Sequence, residues 1–130
     1  MNVRRHTGFS LVEVLAAVAI IGIITFLALP NIVQIKHDSE DHLAIARAEA
    51  LNLSMASYVQ AQGLTGASVG WSGAADSAAR YQLLAPYLAY APTNITEYMP
   101  SGYSVTLTNT ILPLKKAALS GPTFTNITNY

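Results

Sequence analysis

The sequence predicts an α+β fold: one long N-terminal helix with a small antiparallel β-sheet domain packed on its C-terminal half. Three observations carry that prediction. Residues 9–29 form an apolar run broken only by Ser10, Glu13, Gly22 and Thr25. Residues 31–62 then keep a helical spacing of apolar positions, and beyond Gly63 short segments alternate with turn residues.

The first run is apolar on every side. At about 1.5 Å per helical residue it is long enough to cross a bilayer core of about 30 Å. Arg4, Arg5 and His6 precede it, which predicts a cytoplasmic N-terminus with the remainder translocated. A secretory signal peptide fits less well. Its nearest cleavage point, after Ala28, puts Phe26 where a small residue belongs. After Pro30 the pattern continues as helix, so residues 9–62 read as one helix, about 80 Å long. Pro30 removes one backbone donor and should bend or loosen it locally.

Between residues 31 and 62 the helix becomes amphipathic. Leu43, Ala46, Ala50 and Leu53 form one apolar stripe, and Ile45, Ala48, Leu51, Met55 and Val59 an adjoining one. Lys36, Asp38, Glu40, Asp41, Arg47 and Glu49 supply the polar faces. Gly63 is the helix stop. Residues 63–77, rich in Gly, Ala and Ser, read as a loop pinned by Trp71. A short helix around Tyr81, Leu84 and Leu88 follows, interrupted by Pro86. Tyr103, Val105 and Leu107 alternate with polar residues as a half-buried strand. A second strand is expected near 111–119, confined by Pro113 to an edge or to a start beyond it, and residues 121–130 add a third strand or stay loose. The expected divisions are 1–8, 9–30, 31–62 and a small globular domain over 63–130.

Composition narrows the function classes. Of 130 residues, 52% are apolar and only 11% charged, with seven Lys and Arg against seven Asp and Glu. A chain of zero formal charge suggests neither a nucleic-acid binder nor a polybasic membrane-surface protein. There is no cysteine, which excludes disulfides, thiolate chemistry and Cys-based zinc sites. His37, Asp38, Asp41 and His42 lack a third convergent ligand and read as a charged helix face, so no metal and no cofactor is expected. Asn94-Ile-Thr96 and Asn126-Ile-Thr128 match the glycosylation sequon. No serine sits in a nucleophile elbow and no glycine-rich phosphate loop follows a strand, so no catalytic residue is assigned.

Glu13 is the exception within the greasy run. An acid at the centre of a membrane helix costs roughly 2.5–3.5 kcal/mol, and such charges are kept for a partner.

The stretch "GFSLVEVLAAVAIIGIITFLALP" resembles the N-terminus of type IV prepilins and of the pseudopilins of type II secretion. The matching features are a short basic leader ending at Gly8, then Phe9, Glu13 four positions on, an apolar run with Gly22, and Pro30 at its end. The resemblance implies a pilin-like fold and a structural role. A prepilin peptidase would cut between Gly8 and Phe9 and N-methylate Phe9. The subunit would then leave the inner membrane lipid and join other pilin or pseudopilin subunits through an inner-membrane assembly platform, as a pilus or pseudopilus in the periplasm or outside the cell.

Glu13 gains a partner in that scheme. Cleavage creates an amine on Phe9 with a reference pKa of about 7.7–8.0, four residues from Glu13 on the same helical face or offered by a staggered neighbour. Gly22 and Pro30 would weaken the backbone ladder between them. Loss of Arg4 and Arg5 leaves five cations against seven acids, a balance of −2, so nucleic acid is not an expected partner. The short globular part without a cysteine-paired loop favours a type II secretion pseudopilin. The alternatives are an uncleaved membrane-anchored periplasmic domain and a minor type IV pilin in adhesion or DNA uptake.

Overall fold

The computed structural model describes residues 8–130, and Arg4, Arg5 and His6 lie outside them. Two compact units divide the chain, Met1–Asp38 and Ser39–Tyr130.

Helix α1 runs Leu11–Gly73 and crosses that division. It begins at Leu11 rather than Phe9 because Ser10 caps it: the Ser10 hydroxyl and carbonyl oxygens accept from the Glu13 backbone N–H at 3.2 and 3.1 Å. In the first unit the helix is long and apolar enough to cross a membrane, and none of its apolar window is buried. Thr25 interrupts that surface at little cost, since its hydroxyl donates to the Ile21 carbonyl at 2.8 Å.

In the second unit, Ala44, Ala48, Leu51, Met55 and Tyr58 line the core. Their 4-3-4-3 spacing is one continuous helical face. The structure therefore selects the second of the two predicted stripes. Ala48, Leu51 and Met55 are fully covered, whereas Leu43 and Leu53 stay exposed. Aromatic packing decides it: Tyr58 lies 6.2 Å from Trp71 and 6.0 Å, edge on, from Tyr87, which turns that face inward.

Gly63 is the one non-helical residue inside α1, with φ 72° and ψ 165°. The turn it makes is the predicted stop, but the expected loop after it is instead a further helical stretch to Gly73. Ala67 and Trp71, four residues apart, are buried there. The Trp71 indole N–H donates to the Thr108 carbonyl at 2.8 Å. Burial of one large aromatic outweighs the poor helix propensity of Gly, Ser and Thr.

Helix α2, Ser77–Leu84, starts at Asp76, whose carboxylate accepts from the Ala79 N–H at 2.8 Å. It passes into a 3₁₀ turn at Ala85–Tyr87, where Pro86 supplies the fixed φ. A one-turn helix α3, Ile95–Tyr98, was not expected. Strands β1, Ser104–Thr106, and β2, Ala118–Ser120, pair antiparallel with Val105 opposite Leu119. Only the end of the predicted 111–119 segment is strand. Ile127 of the tail exchanges two backbone hydrogen bonds with Leu119, both 2.9 Å, as a single bridge. Val105, Leu107, Ile111 and Leu119 close the core against the helix.

Candidate functional site

Gly8, Phe9 and Ser10 are non-helical, and the first helical residue is Leu11. The Gly8–Phe9 peptide thus lies outside the helical hydrogen-bond ladder. Phe9 is 85% exposed, and a β-carbon at Gly8 would meet nothing within 4 Å. A peptidase needs an accessible, non-helical peptide of this kind.

Glu13 is in the first turn of α1, where an acid is favoured by the unpaired N–H groups of the helix end. Ser10 and Glu13 form the S-x-x-E pattern of a capping box, a signal the sequence reading passed over. Its Ser half is made. Gly22 is helical with open space around it, and the dihedrals stay helical through Pro30. The large side chains of this segment, from Leu11 through Ile20 and Phe26 to Leu29, are all more than half exposed or nearly so. Such a surface is stable only in lipid or against other apolar helices.

The second unit ties itself to its own stretch of α1 through three polar clusters. Asp41 accepts from the Tyr103 hydroxyl at 2.5 Å and from Thr123 Oγ1 at 3.0 and 3.2 Å. That donation to a carboxylate, with burial, pushes the Tyr103 hydroxyl up to about 12. Asn52 accepts from the Ala117 N–H at 2.9 Å and donates to the Tyr130 hydroxyl at 3.0 Å, which in turn donates to the Ala117 carbonyl at 2.8 Å. Lys116 pairs with Glu49 and lies 4.8 Å above the Tyr130 ring. The hydrogen bond from Lys116 is the main reason the Glu49 carboxyl is held below its ordinary value. These contacts employ Asp41 and Glu49 structurally, a use the sequence reading did not find.

Arg47 donates to the Tyr98 carbonyl and sits 5.8 Å over the Tyr98 ring. It lines an open cavity of about 650 Å3 with Ala50, Leu88, Tyr90 and Glu97. Tyr81, Tyr98 and Tyr103 are buried and Tyr87 is partly so, whereas Tyr90 is 88% exposed at this rim. Among the described residues no group of three His, Cys, Asp or Glu could hold a metal ion.

Residues 3–29 match the family model described as the prokaryotic N-terminal methylation motif. The chain carries the type IV pilin and pseudopilin signature. The match ends one residue short of Pro30, so it speaks for a pilin-type or pseudopilin-type precursor and leaves the second unit unmatched. No curated protein and no solved structure gives a match. Proteins with this signature are structural rather than enzymatic, and the apolar helix under it is long and apolar enough to cross a membrane.

Proposed function

We propose that this chain is a structural subunit, pilin or pseudopilin, made as a membrane precursor and assembled into a filament. The observation that carries the reading is the methylation motif at residues 3–29 lying over a helix whose apolar surface is wholly unburied. The precursor sits in the inner membrane with its N-terminus cytoplasmic and its second unit in the periplasm. A prepilin peptidase cleaves between Gly8 and Phe9 and methylates the Phe9 amine, which keeps its charge. The assembly platform then moves the subunit out of lipid, and residues 9–29 bury among neighbouring helices. Each fully buried Leu, Ile or Phe stabilises the filament by about 1.5–3 kcal/mol. The amine of Phe9 pairs with Glu13 of the same or a staggered copy and sets register more than affinity. Gly22 and Pro30 give the helix the compliance to fit. The short second unit without cysteine favours the type II secretion branch.

Glu13→Ala tests this. The variant should still be cleaved at Gly8–Phe9 in a host supplying the peptidase, yet yield no sedimentable filament. Unchanged assembly would overturn the register role, and unchanged behaviour in every respect would point to a plain anchor.

A further inference from the structure

Hydrolysis of the Gly8–Phe9 bond makes a demand on the backbone around it. Water adds to the Gly8 carbonyl carbon, the C–N bond to Phe9 breaks, and the leaving nitrogen takes a proton. One water thus gives the Gly8 carboxyl group and the Phe9 amine. A peptide inside an α-helix resists that attack, because its carbonyl oxygen already accepts from the N–H four residues on. In a helix that began one turn earlier, the Gly8 carbonyl would be held in this way by Val12.

Ser10 decides where the bonding begins. Its carbonyl oxygen accepts from the Glu13 and Val14 N–H groups at 3.1 and 3.2 Å, and its hydroxyl accepts from Glu13 at 3.2 Å. Among the described residues no backbone N–H donates to the Gly8 or Phe9 carbonyl. The Glu13 carboxylate does not return a bond to the Ser10 N–H, so the Ser10 oxygens make this cap alone. Thr7 is the next residue upstream with a capping side chain, and a helix capped there would enclose the scissile peptide. Gly8 opposes that extension, since glycine is the poorest helix former after proline.

We propose that Ser10 is a positioning residue for cleavage. Its cap holds the start of α1 at Leu11 and so leaves the Gly8 carbonyl free for attack. The proposal rests on the peptidase reading above. Ser10 acts through the backbone, and what the position requires is a capping acceptor rather than a hydroxyl. Asparagine caps as well as serine, whereas alanine removes the cap and favours the helical state.

The test uses the full-length precursor in detergent with a prepilin peptidase, and intact mass follows the loss of residues 1–8. Ser10→Ala should lower kcat/KM about fivefold, roughly 1 kcal/mol at 1.4 kcal/mol per tenfold. Ser10→Asn should stay within about twofold of the parent, by the equal rank of the two caps. The 13Cα chemical shift of Phe9 should move toward the helical value in Ser10→Ala and keep its parental value in Ser10→Asn. Urea unfolding read by Trp71 should be the same in all three, since Trp71 belongs to the unit Ser39–Tyr130.

Ser10→Ala cut at the parental rate would overturn this inference and leave the peptidase reading standing. Ser10→Asn cut as slowly as Ser10→Ala would overturn it too, because the peptidase would then be reading the hydroxyl itself. So would slow cleavage of Ser10→Ala with the Phe9 shift unmoved. A parent chain that the peptidase never cuts would sink both readings.

Discussion

Asn52→Ala should weaken the second unit more than any other single polar truncation on α1. Asn52 is the only side chain given to the Ala117 N–H, and Ala117 is fully covered. Removing it leaves a buried donor without a partner, which costs about 1–3 kcal/mol, and forfeits the bond to the Tyr130 hydroxyl, about 0.5–1.5 kcal/mol. The Tyr130 hydroxyl keeps its bond to the Ala117 carbonyl, so a loss in the lower half of the combined range of about 1.5–4.5 kcal/mol, about 2.5 kcal/mol, is expected. Against a total of about 5–15 kcal/mol for a small domain this is a large share. With a urea slope of about 1 kcal/mol per molar, the unfolding midpoint should fall by about 2–3 M. The assay is urea unfolding of the full chain in detergent, followed by the fluorescence of Trp71, the sole tryptophan, which is buried. Asn52→Asp keeps an acceptor for Ala117 but no donor for Tyr130, and it adds a charge beside Glu49, so it should fall between the two. An Asn52→Ala midpoint indistinguishable from the parent would refute the claim that this ring of bonds holds the Ala117 segment onto the helix.

Two further outcomes follow from the same unit. Gly121→Ala should cost about 1–3 kcal/mol by overpacking. The new β-carbon would lie 2.5 Å from two Tyr103 ring atoms and 3.3 Å from Phe124, with the Tyr103 ring fixed by Asp41; urea unfolding reads it. The Tyr103 hydroxyl, raised to about 12 against about 10 when unfolded, binds its proton more tightly in the folded state. Its contribution is therefore complete below pH 10 and lost as pH rises from 10 to 12. Stability measured across that window should decline less steeply in Tyr103→Phe. Some decline should remain, because burial also raises Tyr81, Tyr98 and Tyr130.

Much of the fold could be read from the chain. An unbroken apolar run has few alternatives to a long helix, and the left-handed turn at Gly63 is one that glycine takes without a steric penalty. The alternation at Tyr103, Val105 and Leu107 likewise gave β1 its inward face. The misses share a cause, since each was decided by tertiary contact. Two stripes of similar apolarity adjoin on α1, and only the aromatic neighbours of Tyr58 tell which turns inward. Residues 64–73 hold three glycines and few strong helix formers, and burial of Ala67 and Trp71 makes them helical regardless. β2 is three residues long and held by Val105 and Ile127 on its two sides, a pairing no local pattern announces. Among the residues of the proposed site, Glu13 was conspicuous because membrane chemistry makes a lone acid stand out, and Gly8 and Phe9 through the resemblance alone. Arg47 and Asn52 were not, since their roles depend on Tyr98 and Ala117, both more than 50 residues away.

We propose a precursor whose leader ends at Gly8. The direct measurement is the intact mass and N-terminal sequence of the protein recovered from membranes of a host that supplies a prepilin peptidase. A chain beginning with N-methylated Phe9 is the predicted result and would give Glu13 its cationic partner. A chain still starting at Met1, or cut near Ala28, would contradict the account.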